Sequence, residues 1–253
     1  MSRKPFASSQ NTPLKNTPYD SRVGEQEFPA GDDTASDNYV LLGFRAGYAL
    51  QAAELNEIQE HFYLQQTLMA TMISNWSSAI GQNQGPGWGY GDIEQAKSGM
   101  TPLSPNMVTR SGDTVTFSKG WYLVQVPKFT TTDETVSYRF KIWIYSNEDI
   151  SFTANQPENS SPGYVGFKIT QEFVTETEDG DLSDGANASE NIVPGATRYK
   201  LSVGDGTASS LTQQGRDVLG LGSGTEDSDD SPMCIKIVNN TFSYLNDYEL
   251  PTT

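Results

Sequence analysis

The chain is poor in the residues that most chemistry needs. Among its 253 residues there is one cysteine, Cys234, and one histidine, His61. A single cysteine excludes an intrachain disulfide and any cysteine-based metal site. Cys234 lies in MCIKIV, between apolar residues of β type, and reads as a buried thiol acting as a small hydrophobe. Basic residues are scarce: 16 Lys and Arg stand against 32 Asp and Glu, a formal charge of -16. An acidic surface of this size repels phosphate backbones, so nucleic acid is excluded as a partner, and solubility or a basic partner surface is favoured. No run of about 18 apolar residues occurs, so no membrane insertion is expected. The start, MSRKPFASSQNTPLKNTPYDSR, lacks the apolar segment of a secretory signal.

Catalytic signatures are missing too. There is no Walker loop, no dinucleotide fingerprint and no HExxH. His61 falls inside a helical stretch with no marked nucleophile near it, so neither a Ser-His-Asp nor a Cys-His site is indicated. No pair of carboxylates stands out for glycoside hydrolysis. In ETEDGDLSDGANASE, residues 176–190, Asp179, Asp181 and Glu190 occupy the first, third and twelfth places of a calcium loop, with Ser183 at the fifth. The sixth place holds Asp184 where such loops need Gly. The stretch reads instead as a polar loop leaving a strand, with turns at Asp179-Gly180 and Asp184-Gly185. The expectation is a protein without catalytic residues, cofactor or metal.

What is present is a clear change of period along the chain. Residues 1–38 carry Pro5, Pro13, Pro18 and Pro29 and no apolar periodicity, which predicts an extended arm. Phe6, Leu14, Tyr19, Val23 and Phe28 are scattered anchors that suit an arm lying along a neighbouring subunit. Residues 39–81 form a helical attachment segment. Its helix runs from roughly Leu50 to Ile80. Leu55, Phe62, Met69 and Trp76 fall seven apart, with Ile58, Met72 and Ala79 at the companion positions and Gln65 the one polar interruption. These are the a and d sites of a heptad pattern, widened by Ile73 and Ile80. The predicted helix interface is Leu55, Ile58, Phe62, Met69, Met72 and Trp76, which points to self-association or a bundle with another helix.

Residues 82–106 are rich in Gly and Pro and read as a linker, docked through Trp88 and Tyr90. Residues 107–253 read as β. Thr114–Phe117 and Trp121–Val126 are two short strands joined at Lys119-Gly120. In residues 136–146, Val136, Tyr138, Phe140, Ile142 and Ile144 alternate with Arg139 and Lys141, which predicts one buried face. Further strands are expected at 150–154, 164–175, 197–204, 233–238 and 241–245, the last two closing a hairpin at Asn239-Asn240. Residues 205–232 read as an acidic loop. The fold class expected is α+β: an extended N-terminal arm, one long amphipathic helix, then a mainly antiparallel β domain, sandwich or barrel-like.

Two separated stretches together resemble a known family. FRAGYALQAAELNEIQ, residues 44–59, is similar to a motif near the start of certain tailed-phage tail proteins, through Phe44, Gly47, Leu50, Glu54, Leu55 and Asn56. VGFKITQEFVTETEDGDLSDGANASENIVPGATRYKLSV, residues 165–203, resembles the same family's strand, acidic loop and following strand, through Asp179, Asp181, Pro194, Gly195, Arg198 and Tyr199. The likeness spans about residues 39–204. The family occurs in baseplate-associated and tail-fibre-associated proteins of contractile-tailed phages, including those infecting cyanobacteria. The resemblance implies a non-enzymatic virion structural protein, located in the tail and assembled in the host cytoplasm. No long repetitive shaft follows the module here, which suggests an adaptor between neighbouring baseplate or fibre proteins. A receptor-binding protein for host glycan, using Trp88, Tyr90 and Trp121, and a neck or collar connector are the alternatives. A homo-oligomer is expected, a trimer first. Glu54 near the helix start suits the macrodipole. Arg198 either pairs with Asp179 or Asp181 or faces solvent from its strand.

Overall fold

A computed structural model describes residues 38–44, 46, 50, 52–80, 100–127, 139–153, 163–179, 182, 195–211, 233–238, 241–244, 250 and 252. The arm with Phe6, Leu14, Tyr19, Val23 and Phe28 lies outside these residues, as do Gly47, Trp88, Tyr90, Asp181 and Pro194. The architecture is α+β, with β dominant.

Strand β1 (Tyr39–Gly43) leads into helix α1 (Ala52–Ile80). Then follow β2 (Met100–Pro102), a 3-10 turn at Pro105–Met107, β3 (Val108–Ser111), β4 (Thr114–Phe117), β5 (Gly120–Pro127), β6 (Arg139–Ser146) and β7 (Ile150–Thr153). The remaining strands are β8 (Gly163–Val174), β9 (Thr197–Leu211), β10 (Met233–Val238) and β11 (Thr241–Tyr244). They form a five-stranded sheet in the order β1-β9-β8-β10-β11 and two three-stranded sheets, β2-β5-β6 and β3-β4-β7. No helix among the described residues is long and apolar enough to cross a membrane.

Several boundaries differ from the sequence reading. The strands at Thr114–Phe117 and in Trp121–Val126 do not pair with each other: β4 pairs with β3 and β7, whereas β5 pairs with β2 and β6. The chain changes sheets between them. The hairpin is instead β3–β4, closed at Gly112-Asp113, where Gly112 takes φ +59°. Lys119-Gly120 is the crossing point, with Lys119 N donating to Asp149 Oδ1 at 2.6 Å and Gly120 at φ +142°. In β6, Ile142, Trp143, Ile144, Tyr145 and Ser146 are all buried, so both faces of that strand are covered rather than one. The expected hairpin of β10 and β11 is present, with Val238 opposite Thr241. Strand β9 extends through Leu211, into the start of the expected acidic loop.

The chain resolves into two compact units, Met1–Thr67 with Gln171–Ser202, and Leu68–Thr170 with Val203–Thr253. Residues 171–202, expected in the β domain, thus belong with the first half of the helix.

In the second unit the end of α1 supplies Leu68, Met72 and Trp76 to the core. The Trp76 ring meets Tyr244 edge-on at 5.0 Å, and its Nε1 donates to the Pro102 carbonyl at 2.9 Å. Asn75 donates to Leu103 O at 3.0 Å, and Tyr244 OH donates to Pro105 O at 2.6 Å. Residues 102–105, expected within a linker, are therefore fixed by three side chains. Phe117, Tyr122 and Phe167 form an aromatic cluster beneath them in sequence order, with ring centroids 4.8–6.3 Å apart.

In the first unit Tyr39, Val174 and Leu182 make a small apolar cluster. Tyr39 OH donates to Asp179 Oδ2 at 2.8 Å. The acidic loop after β8 starts with a turn: Thr175 N donates to Glu178 Oε2 at 2.8 Å, and Asp179 N to Thr175 O at 2.9 Å.

Candidate functional site

The first half of α1 presents an unusual division of polarity. Glu54, Glu57 and Glu60 recur every third residue. At about 100° per residue they sit within roughly a third of the helix circumference. All three are buried, at 1%, 1% and 2% exposure. A carboxylate taken out of water needs partners, since the uncompensated cost runs to several kcal/mol. No Lys or Arg lies between residues 46 and 96, so no basic side chain of the helix can serve.

For Glu54 and Glu57 the partners come from the start of β9. Arg198, fully buried, faces Glu57 with a two-pronged bond: Nε to Oε1 at 2.8 Å and Nη2 to Oε2 at 2.7 Å. The planar guanidinium matches the carboxylate edge, which favours Arg over Lys here. Its Nη1 donates to the Ala196 carbonyl at 2.6 Å. The Ala196 amide donates to Glu54 Oε1. The Ala196 backbone is thus bonded on both sides, to Glu54 and to Arg198. Arg198 does not pair with Asp179, nor does it face solvent, and Asp181 lies outside the described residues. The expectations of Asp179 and of solvent fail for one reason: its partner lies 141 residues away, where local spacing says nothing.

His61 adjoins this cluster. Its Nε2 is 3.9 Å from Glu57 Oε1, too far for a hydrogen bond, and has no hydrogen-bond partner among the described residues. Burial, and then the positive charge of Arg198, hold the imidazole down to about 4. Glu57 alone would push the other way, but its charge is already matched by Arg198. His61 is therefore neutral near pH 7. No nucleophile of the described residues is bonded to Nε2, and the three carboxylates have almost no open surface for a substrate. Among the described residues no three His, Cys, Asp or Glu side chains are grouped to hold a metal. The arrangement does mechanical work: it ties helix to strand.

The opposite face of the helix is apolar and open. Leu55 is 47% exposed, Ile58 40% and Phe62 59%, with Tyr63 at 51%. Of the expected interface, these first three residues point outward, and Met69 is half-buried. Met72 and Trp76 are corrected: both are 1% exposed, covered by the chain's own core. The reason is helical geometry. A straight α-helix drifts about 20° per heptad, so about 60° separates Leu55 from Trp76 after three heptads. Burial follows Leu64, Leu68, Met72 and Trp76 at a spacing of four instead. Sequence reasoning missed Glu57 and Glu60. The available signal was a helix with acids at every third position and no base of its own.

The other residues of the family motif divide. Glu54, Gly195 and Arg198 are buried; Asn56 and Tyr199 are half-buried, the Tyr199 ring lying 4.2 Å from that of Phe173. Phe44 and Leu50 are more than half exposed. Asp179 is engaged by Tyr39. Trp121 is half-buried, with its ring edge-on to Tyr145 at 5.1 Å. Cys234 is buried, and burial pushes its thiol up, so it is inert at neutral pH. In comparisons with known proteins, no family model, no curated protein and no solved structure matches this chain.

Proposed function

We propose that this chain is a non-enzymatic structural protein of a phage virion. It acts in the tail, at the baseplate or a fibre-attachment point, as an adaptor between neighbouring proteins. One observation carries the reading. The two stretches that resemble tail-protein motifs, residues 44–59 and 165–203, are bonded to each other through Glu54 and Ala196 and through Glu57 and Arg198. The motif residues thus work as a lock that fixes the helix and leaves its apolar side outward. An adaptor needs that: a rigid element presenting a docking face. The β domain, read as sandwich or barrel-like, supplies further surface for fibres or adjacent tail proteins.

The test is mass spectrometry of gradient-purified particles and of tails separated from heads, with gold-labelled antibody to locate the chain. The reading expects the chain in fixed ratio to other tail proteins, with label at the baseplate or fibre base. Label at the head–tail junction would place it as a neck connector. Absence from particles would remove the reading.

A further inference from the structure

We propose that the open face of α1 is occupied by a second copy of this chain, which buries Leu55, Ile58, Phe62 and Tyr63 between two helices. The inference rests on the adaptor reading and names the partner of its docking face. Charge decides the occupant. The chain carries a formal charge of -16, so two copies repel at most surfaces. On α1 the charge has been withdrawn. Glu54, Glu57 and Glu60 are turned inward, and every residue exposed between positions 55 and 78 is uncharged. The rim of the apolar stripe is Gln59 and Gln66, both exposed. Like meets like there without repulsion, whereas a basic partner would find no carboxylate to pair with.

The spacing agrees with a helix as the occupant. Leu55, Ile58 and Phe62 follow the three-and-four step of a helix–helix seam. Amides at the rim can hydrogen-bond across such a seam, and Gln is its own complement. The seam belongs to the first half of the helix, because Met72 and Trp76 are spent on the chain's own core.

The experiment is light scattering of the full chain across a concentration series, beside L55D/F62D. The expected result is a mass that is a multiple of 27.7 kDa for the unaltered chain. The variant should be monomeric, or need at least about tenfold more protein to associate, with an unchanged far-ultraviolet spectrum. Since both side chains are already exposed, the variant keeps its fold. A second readout is independent of that: single cysteines at Leu55, Gln59, Phe62 and Gln66, oxidised in turn. Cys234 is buried, so no native thiol competes. At least one position should yield a disulfide-linked pair. A monomeric full chain, association that survives L55D/F62D, or no linked pair at any position overturns the proposal. A full chain that associates only after removal of residues 1–37 also overturns it, by making the arm the occupant. The virion test separates the two readings: a monomer found in tails leaves the adaptor reading standing, and a dimer absent from particles removes it.

Discussion

Arg198 and Glu57 share two hydrogen bonds, of 2.8 and 2.7 Å, with neither side chain more than 1% exposed. A buried pair of this kind specifies geometry more surely than it adds stability. Its burial costs nearly what its attraction returns.

Removal of one partner is therefore expected to be worse than removal of both. R198M leaves Glu57 buried without its cation and should cost about 3–5 kcal/mol in urea unfolding. The double variant E57L/R198M should recover most of that loss. A double variant as unstable as R198M alone would mean that the pair is not the source of the cost.

The lone histidine makes a pH-dependent contribution. In the folded chain His61 stays neutral down to about 4, whereas the unfolded chain takes up the proton near 6.5. The unfolded state binds more protons between those values. The stabilisation is thus complete above about pH 6.5, declines as pH falls, and stops declining near pH 4. The total is on the order of 3 kcal/mol. H61Q should flatten that part of the curve. The check is the difference between the two proteins' unfolding free energies at pH 7 and pH 4.5, which cancels the carboxylates they share.

Trp76 anchors the end of α1 by shape and by one hydrogen bond. W76F keeps most of the ring but leaves the buried Pro102 carbonyl without its donor, an expected loss of about 1–3 kcal/mol. W76A also opens a cavity and should lose about 3–5 kcal/mol. Equal losses for the two would mean that the indole N–H contributes everything and the packing nothing.

Gly120 is constrained twice. Its φ of +142° suits no L side chain, and an added Cβ would meet Met107 Cε at 2.6 Å. G120A should cost about 1–3 kcal/mol. Adding M107A to G120A removes the crowding but not the backbone strain, so it should recover only part of the effect. Thermal unfolding of G120A, M107A and the double variant separates the two terms.

How much of this was legible in the sequence depends on the range of the interaction. The helix was read almost to its ends, because periodicity over 29 residues is a local property. Its orientation was half legible. From Leu64 onward apolar residues mark the buried face. Before Leu64 the buried face is acidic and the exposed one apolar, so the usual rule inverts. That inversion depends on Arg198 and the Ala196 amide, which no window around Glu57 contains. Strands β4 to β11 were legible, but β1, β2 and β3 were not, and of the pairings only the β10–β11 hairpin was. Short loops predict hairpins, and β4 and β5 are joined by a short loop yet belong to different sheets. The fixed segment 102–105 looked like a linker because Pro102, Leu103 and Pro105 supply carbonyls, not side chains, to Trp76, Asn75 and Tyr244.

The distance between Glu57 and Arg198 along the chain also sets a schedule for synthesis. A ribosome adds roughly 5–20 residues per second, so about 7–28 seconds pass between the two residues. Throughout that interval the emerging helix has no guanidinium to close on. Its three glutamates stay in water. Once Arg198 arrives, the glutamates turn inward and Leu55, Ile58, Phe62 and Tyr63 are left outward. The same glutamates face water in the nascent chain and a strand in the folded one, and under the proposed pairing of two α1 helices association is deferred until the module is complete.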